Sequence, residues 1–255
     1  MARTFSVPSI TTEQMREVDR LMIEEYGIVL LQMMENAGRN LARLTASLAD
    51  GAAGRSVVVL AGKGNNGGGG MVAARHLSNM GAHVRLLLAG AVDDLVDAPA
   101  HQTSTLGRMG VEVLEAEAAP AELLRQTIEG ADHIIDAVIG YSLRGAPSGQ
   151  AAVLIELANA GGRPIVSLDV PSGVDTGSGT VYEPSIRAAA TLTLALPKTG
   201  LGTPEVRRRL GELYLGDLSV PPALYHHLGL DVGPLFAEES VVRLRWADDG
   251  WVSQR

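Results

Sequence analysis

Three groups of residues in this 255-residue chain have the types and spacing to do chemistry. The first is the stretch 61–70, AGKGNNGGGG, which holds six of the 30 glycines and follows the apolar run SVVVL. Gly62, Gly64 and Gly67 satisfy G-x-G-x-x-G between an expected strand and an expected helix. Missing side chains there let backbone N–H groups approach a phosphate at a helix N-terminus. The competing reading is that these glycines only permit a tight turn and close helix packing. The second group is Asp136 and Asp169, each near the end of an apolar run, with Ser172 three residues beyond Asp169 across a stiffening proline. Carboxyl ends of parallel strands face a ligand crevice, so both aspartates and the glycine stretch are expected at one sheet edge. Their oxygens, with an asparagine carbonyl from the glycine stretch, suit a hard cation. The third group is a glycine-bounded segment, 140–149, whose Arg144 can cover a phosphate or a base, and Lys198 after a further strand end. Lys198 can neutralise an anion or donate a proton.

Other chemistries are excluded by what is missing. No Gly-Lys-Ser/Thr follows the glycines, and the second expected strand ends Leu88-Ala-Gly-Ala-Val92 without the ribose-binding acid of a conventional dehydrogenase. Asp93 and Asp94 come late and read as loop or capping residues. Neither H-E-x-x-H nor a Ser-His-Asp order is evident. His76, His226 and His227 read as surface or packing residues, and the run 207–209 as a solvated turn. With no cysteine, thiol catalysis and a disulfide framework are out, and a reducing cytosol is compatible. The net charge of -8 argues against nucleic-acid and anionic-membrane partners. Only two of the 21 basic residues are lysines, Lys63 and Lys198, and both fall inside the motifs above.

Positioning these residues requires an α/β fold. Runs at 56–60, 83–88, 111–114, 133–139, 164–170 and 191–196 read as strands, several apolar on both faces, alternating with helical stretches. That pattern predicts a mostly parallel sheet in a three-layer α/β/α sandwich. Ahead of it, Thr11 or Thr12 caps a helix carrying Met15, Val18, Leu21, Met22 and Tyr26 and ended by Gly27, and a second helix spans 30–48. The methionines are read as core or dimer-interface packing. One domain is expected: a helical arm over 1–50, a core over 55–220 in which 211–218 is a last edge strand, and a tail over 230–255 of unassigned packing. No signal-peptide h-region or membrane span is seen, so a soluble cytoplasmic protein is expected.

AGKGNNGGGGMVAARHL, DAVIGYSLRG, SLDVPSGVDTGSG and LTLALPKTGLG resemble, in order and spacing, the successive motifs of the NAD(P)H-hydrate epimerase family, the YjeF N-terminal domain. EQMREVDRLMIEEYGIVLLQMMENAGRNLA resembles its helical arm. The resemblance implies a Rossmann-like, dimeric domain that interconverts the R and S epimers of NADHX and NADPHX at the hydroxylated nicotinamide carbon, repairing the cofactor alongside a dehydratase on a separate chain. It places Asn65, Asn66, Gly67, Gly68 and Gly69, with Gly140, Tyr141, Ser142, Leu143, Arg144, Gly145 and Ala146, on the nucleotide, and Asp169 beside the reacting ring. It makes Asn66, Asp136 and Ser172 potassium ligands, Asp169 the general base and Lys198 its acid or electrostatic partner. One departure stands out: the family's Asn-Asn-Gly-Gly-Asp-Gly reads here with Gly69 in place of the aspartate. The alternative it raises is a catalytically impaired nucleotide-binding or dimeric scaffold module.

Overall fold

In the computed structural model, which describes residues 5–254, ten strands form one sheet. Its centre is built from largely apolar runs: β2 (Ser56–Ala61), β3 (His83–Leu88), β5 (His133–Ala137), β6 (Ile165–Leu168) and β7 (Ala190–Leu194). A strand with apolar residues on both faces must be covered on both. Alternate residues of β2 show how: Val57, Val59 and Ala61 enter one core, Val58 and Leu60 the other.

The first core is closed by α1 (Thr12–Glu24), α2 (Leu30–Leu48), α3 (Asn65–Asn79) and α4 (Asp97–Arg108), the second by α5 (Ala121–Glu129) and α6 (Gly149–Ala160). This is the expected three-layer sandwich. Thr11 caps α1 reciprocally: its hydroxyl accepts from Gln14 N at 3.1 Å and its own N–H donates to the Gln14 side chain at 2.9 Å. The two N-terminal helices pack into the main core through Val18, Met22, Ala37 and Leu41; α1 ends at Glu24, so Tyr26 lies beyond it and is exposed.

The remaining strands are β1 (Ser6–Val7), β4 (Glu112–Glu115), β8 (Glu212–Gly216), β9 (Val241–Ala247) and β10 (Gly250–Gln254), in the order β1-β10-β9-β8-β7-β6-β5-β2-β3-β4. From β8 to β4 all pairings are parallel; β9, β10 and β1 are antiparallel. Two expectations are corrected here. The segment 211–218 is not an edge strand, because β9 pairs along its free side. The tail is also readable after all: Val242 and Leu244 are buried while Arg243 and Arg245 are exposed, the alternation of a half-covered strand. Asp248 (φ 47) and Asp249 (φ 61) turn the chain between β9 and β10, the left-handed pair that a two-residue hairpin needs. Among the described residues no helix is long and apolar enough to cross a membrane.

Candidate active site

Strand ends converge as parallel topology requires. β6 stops at Leu168 because Asp169 takes a left-handed φ of 67, which breaks the extended run and turns its carboxylate off the sheet. Asp tolerates this conformation better than most residues. One wall of a cavity of about 510 Å³ is formed by Asp169, with Leu168, Val138, Ile139, Gly140, Tyr141 and Ser142 beside it. The first turn of α3 (Gly64, Asn65, Asn66, Gly69) and the helices α1 and α2 (Met15, Asp19, Leu30, Met33, Met34) close the rest.

The Asp169 carboxylate is fully engaged. Lys198 Nζ donates to Oδ1, and the Tyr141 N–H donates to Oδ2 at 3.0 Å. Lys198 is itself 0% exposed and does not line the cavity; its second anchor is the Leu194 carbonyl at 3.0 Å. The N-terminal segment locks its backbone, Ile10 N donating to Pro197 O at 2.9 Å and Thr199 N to Ile10 O at 3.0 Å. Lys198 therefore acts on Asp169 from behind the wall. Lys63, the other lysine, pairs at the exposed rim with Asp94 at 3.1 Å and faces no cavity residue.

Asp136 lies deeper than its strand-end position suggests. It is 0% exposed and outside the cavity lining, and it accepts from Ser172 Oγ (2.6 Å), Ser167 Oγ (2.8 Å), Ser172 N (2.9 Å) and Val138 N (3.3 Å). Burial pushes its carboxyl above the ordinary range, against the pull of these donors. Its observed work is to tie the Asp169–Ser172 turn to β5. Ser172 passes the connection on, accepting from Ile139 N at 2.9 Å.

The glycine stretch divides between both readings made of it. α3 begins at Asn65, earlier than expected, so Gly67 to Gly70 are helical and buried. Added Cβ atoms would stand 1.9 Å from Gly62 O at Gly67, 2.6 Å from Met34 Cε at Gly68, 2.7 Å from Leu168 Cδ2 at Gly69 and 2.5 Å from Ala137 Cβ at Gly70. These four glycines let the helix sit against its neighbours, as a packing role requires. Of this stretch, Gly64, Asn65, Asn66 and Gly69 reach the cavity, to which α3 presents its N-terminal turn.

A family model described as YjeF-related protein N-terminus matches residues 30–200, two thirds of the chain. The chain belongs to the YjeF-related family. It is 48% identical over 229 residues to the NAD(P)H-hydrate epimerase of Dehalogenimonas lykanthroporepellens, covering 88% of this chain and 87% of that protein. With the bifunctional NAD(P)H-hydrate repair enzyme Nnr of Salinibacter ruber it shares 37% identity over 87% of its own length and 42% of the larger protein's. The crystal structure of yeast ynu0 superposes with a TM-score of 0.79 at 26% identity, covering 93% of this chain and all of that one.

Within this YjeF-related chain, the sequence reading and the structure agree on part of the site. Asn65, Asn66, Gly69, Gly140, Tyr141, Ser142 and Asp169 line the cavity; Gly67 and Gly68 lie inside helix packing; Leu143, Arg144, Gly145 and Ala146 continue beyond the lining. Asp19 was missed. It sits half-buried on α1 and accepts the Tyr141 phenol proton at 2.6 Å, with its carboxyl pushed up by burial. The signal was there: Met15, Asp19 and Met22 fall at i, i+4 and i+7, which puts a carboxylate on the apolar face of an amphipathic helix. Met15, Met33 and Met34 line the cavity as well as the core, so the methionine face does more than pack.

Proposed function

We propose that this chain is an NAD(P)H-hydrate epimerase, interconverting the R and S epimers of NADHX and NADPHX. Its strongest support is 48% identity to a relative of that name over most of both chains, joined to a cavity with a buried Lys198–Asp169 pair at its wall. Inverting a hydroxylated ring carbon breaks a bond there and remakes it on the other face, and protons must move in both directions. Asp169 is the group suited to that exchange. Its charge is held by the Lys198 ammonium and the Tyr141 N–H, so it presents a fixed, dry acceptor that returns the proton once the bond is remade. Lys198 supplies electrostatic support rather than contact with the ring, which its full burial favours.

Nucleotide binding is assigned to the α3 N-terminus with Asn65, Asn66 and Gly69, and to the 140–146 loop, where Arg144 is exposed and available to a phosphate. Potassium is assigned to Asn66, Asp136 and Ser172. Among the described residues no cluster of three or more His, Cys, Asp or Glu is placed for a metal, so a high-affinity divalent site is not the fit. The oxygen types suit a monovalent hard cation: an amide carbonyl, a carboxylate buried without a cationic partner, and a hydroxyl. Such an ion would supply a fixed positive charge beside the nucleotide cradle. A dehydratase on another chain, a homodimeric state and a cytoplasmic location complete the proposal. The impaired-module reading rests on Gly69 alone, while Asn66, Asp136, Asp169, Ser172 and Lys198 are all in place.

The test is direct. Purified protein given one NADHX epimer should equilibrate it with the other, followed by chromatography, and Asp169→Ala should not; a wild-type protein that leaves the single epimer untouched would end the reading.

A further inference from the structure

The element α1 carries no motif, yet one of its side chains reaches the centre of the site. We propose that Asp19 is a positioning residue: it anchors the phenol of Tyr141 and thereby holds both the substrate-covering loop and the second oxygen of Asp169. The inference rests on the epimerase reading for its kinetic part only.

Tyr141 is connected in four directions. Its hydroxyl donates to Asp19 Oδ2 at 2.6 Å, its N–H to Asp169 Oδ2 at 3.0 Å, and its carbonyl accepts from Thr176 Oγ1 at 3.2 Å. Its ring lies 5.9 Å from Lys198 Nζ, the cation that holds the other Asp169 oxygen. Gly140, Tyr141 and Ser142 are the cavity-facing residues of a loop without regular secondary structure. A loop residue keeps one orientation only if its side chain is tied to a rigid element. Two ties reach α1. Thr176 also approaches Thr12 Oγ1 at 3.3 Å, but the Asp19 carboxylate makes the stronger, charge-assisted one. Asp19 in turn is held by a capped helix whose Met15, Val18 and Met22 are buried in the main core. Rigidity passes from the core of α1, through Asp19 and the phenol, to the backbone N–H that orients the catalytic carboxylate.

Five proteins test this: wild type, Asp19→Ala, Asp19→Asn, Tyr141→Phe and the double variant Asp19→Ala/Tyr141→Phe. Hydrogen exchange over residues 140–146 should accelerate in Asp19→Ala and Tyr141→Phe. It should return toward wild type in Asp19→Asn, whose amide oxygen still accepts the phenol proton. In the epimerase assay, Asp19→Ala and Tyr141→Phe should each raise KM by about tenfold, the scale of one charged hydrogen bond, with a smaller change in kcat. Because both act through one contact, the double variant should be no worse than either single. Unchanged exchange in Asp19→Ala, losses that multiply in the double variant, or Asp19→Asn behaving as Asp19→Ala would each overturn the proposal. An inactive wild type would sink the epimerase reading instead and leave the exchange result to decide on the anchor.

Discussion

Lys198 Nζ donates to Asp169 Oδ1 with the two side chains 0% and 4% exposed, so the cavity wall holds an ion pair removed from water on its inner side. Among the described residues each is the other's only ion-pair partner within 4 Å. Losing one partner strands the other, which costs about 3–5 kcal/mol for a buried pair. Lys198→Met should therefore lower the urea midpoint strongly and abolish epimerisation. The double variant Lys198→Met/Asp169→Leu should regain much of the stability without regaining activity. Equal destabilisation in single and double variants would show that the pair is not coupled.

Gly69 stands where the resemblance to the epimerase family expects an aspartate. A Cβ there would stand 2.7 Å from Leu168 Cδ2, the mobile end of a side chain rather than backbone. Overpacking of this kind costs about 1–3 kcal/mol. Gly69→Asp should lower the thermal midpoint, and Leu168→Ala in the same protein should recover part of the loss. Gly67→Ala is different in kind, since its Cβ would meet the Gly62 carbonyl oxygen at 1.9 Å. It should disrupt the start of α3 and nucleotide binding whatever is done to neighbouring side chains, as titration with NADH would report.

Potassium should stabilise the protein against heat more than sodium at equal ionic strength, because a ligand bound only by the folded state raises its stability. Ser172→Ala and Asn66→Ala should remove the difference between the salts. A wild-type midpoint that is the same in both salts would remove potassium from the proposal.

Asp19 gives a pH signature. Burial raises its carboxyl from the ordinary value of 3.8, only partly offset by the Tyr141 hydrogen bond. Above that value the folded state then binds more protons than the unfolded chain. Its contribution to stability is fullest below the unfolded value and is lost as pH rises through the raised folded one. Asp19→Asn should flatten the decline in unfolding free energy over the acidic range just above about pH 4, as measured by urea denaturation at a series of pH values. An unchanged slope would mean that Asp19 titrates normally.

Much of this molecule was legible before folding. Runs at 56–60 and 83–88 with apolar residues on both faces name strands covered on two sides, and topology then brings Asp169 to the ligand edge. The helix over 30–48 has the bounds read from its pattern. The tail was not read, although Asp248, Asp249 and Gly250 are turn residues between two alternating runs, because hairpin pairing with a strand 30 residues earlier is a long-range choice. Asp19 was passed over because a carboxylate on a helix face carries no spacing motif.

Local pattern alone determined the central strands, the Thr11 cap and the residue types at the sheet edge, since each depends on neighbours a few positions away. Tertiary structure decided depth. It put Lys198 behind the wall and Asp136 beneath it, made Gly67 to Gly70 a packing surface, and set Asp19 against Tyr141 across 122 positions of chain. Burial and pairing of that kind are set by how whole elements stack, which no window of sequence contains.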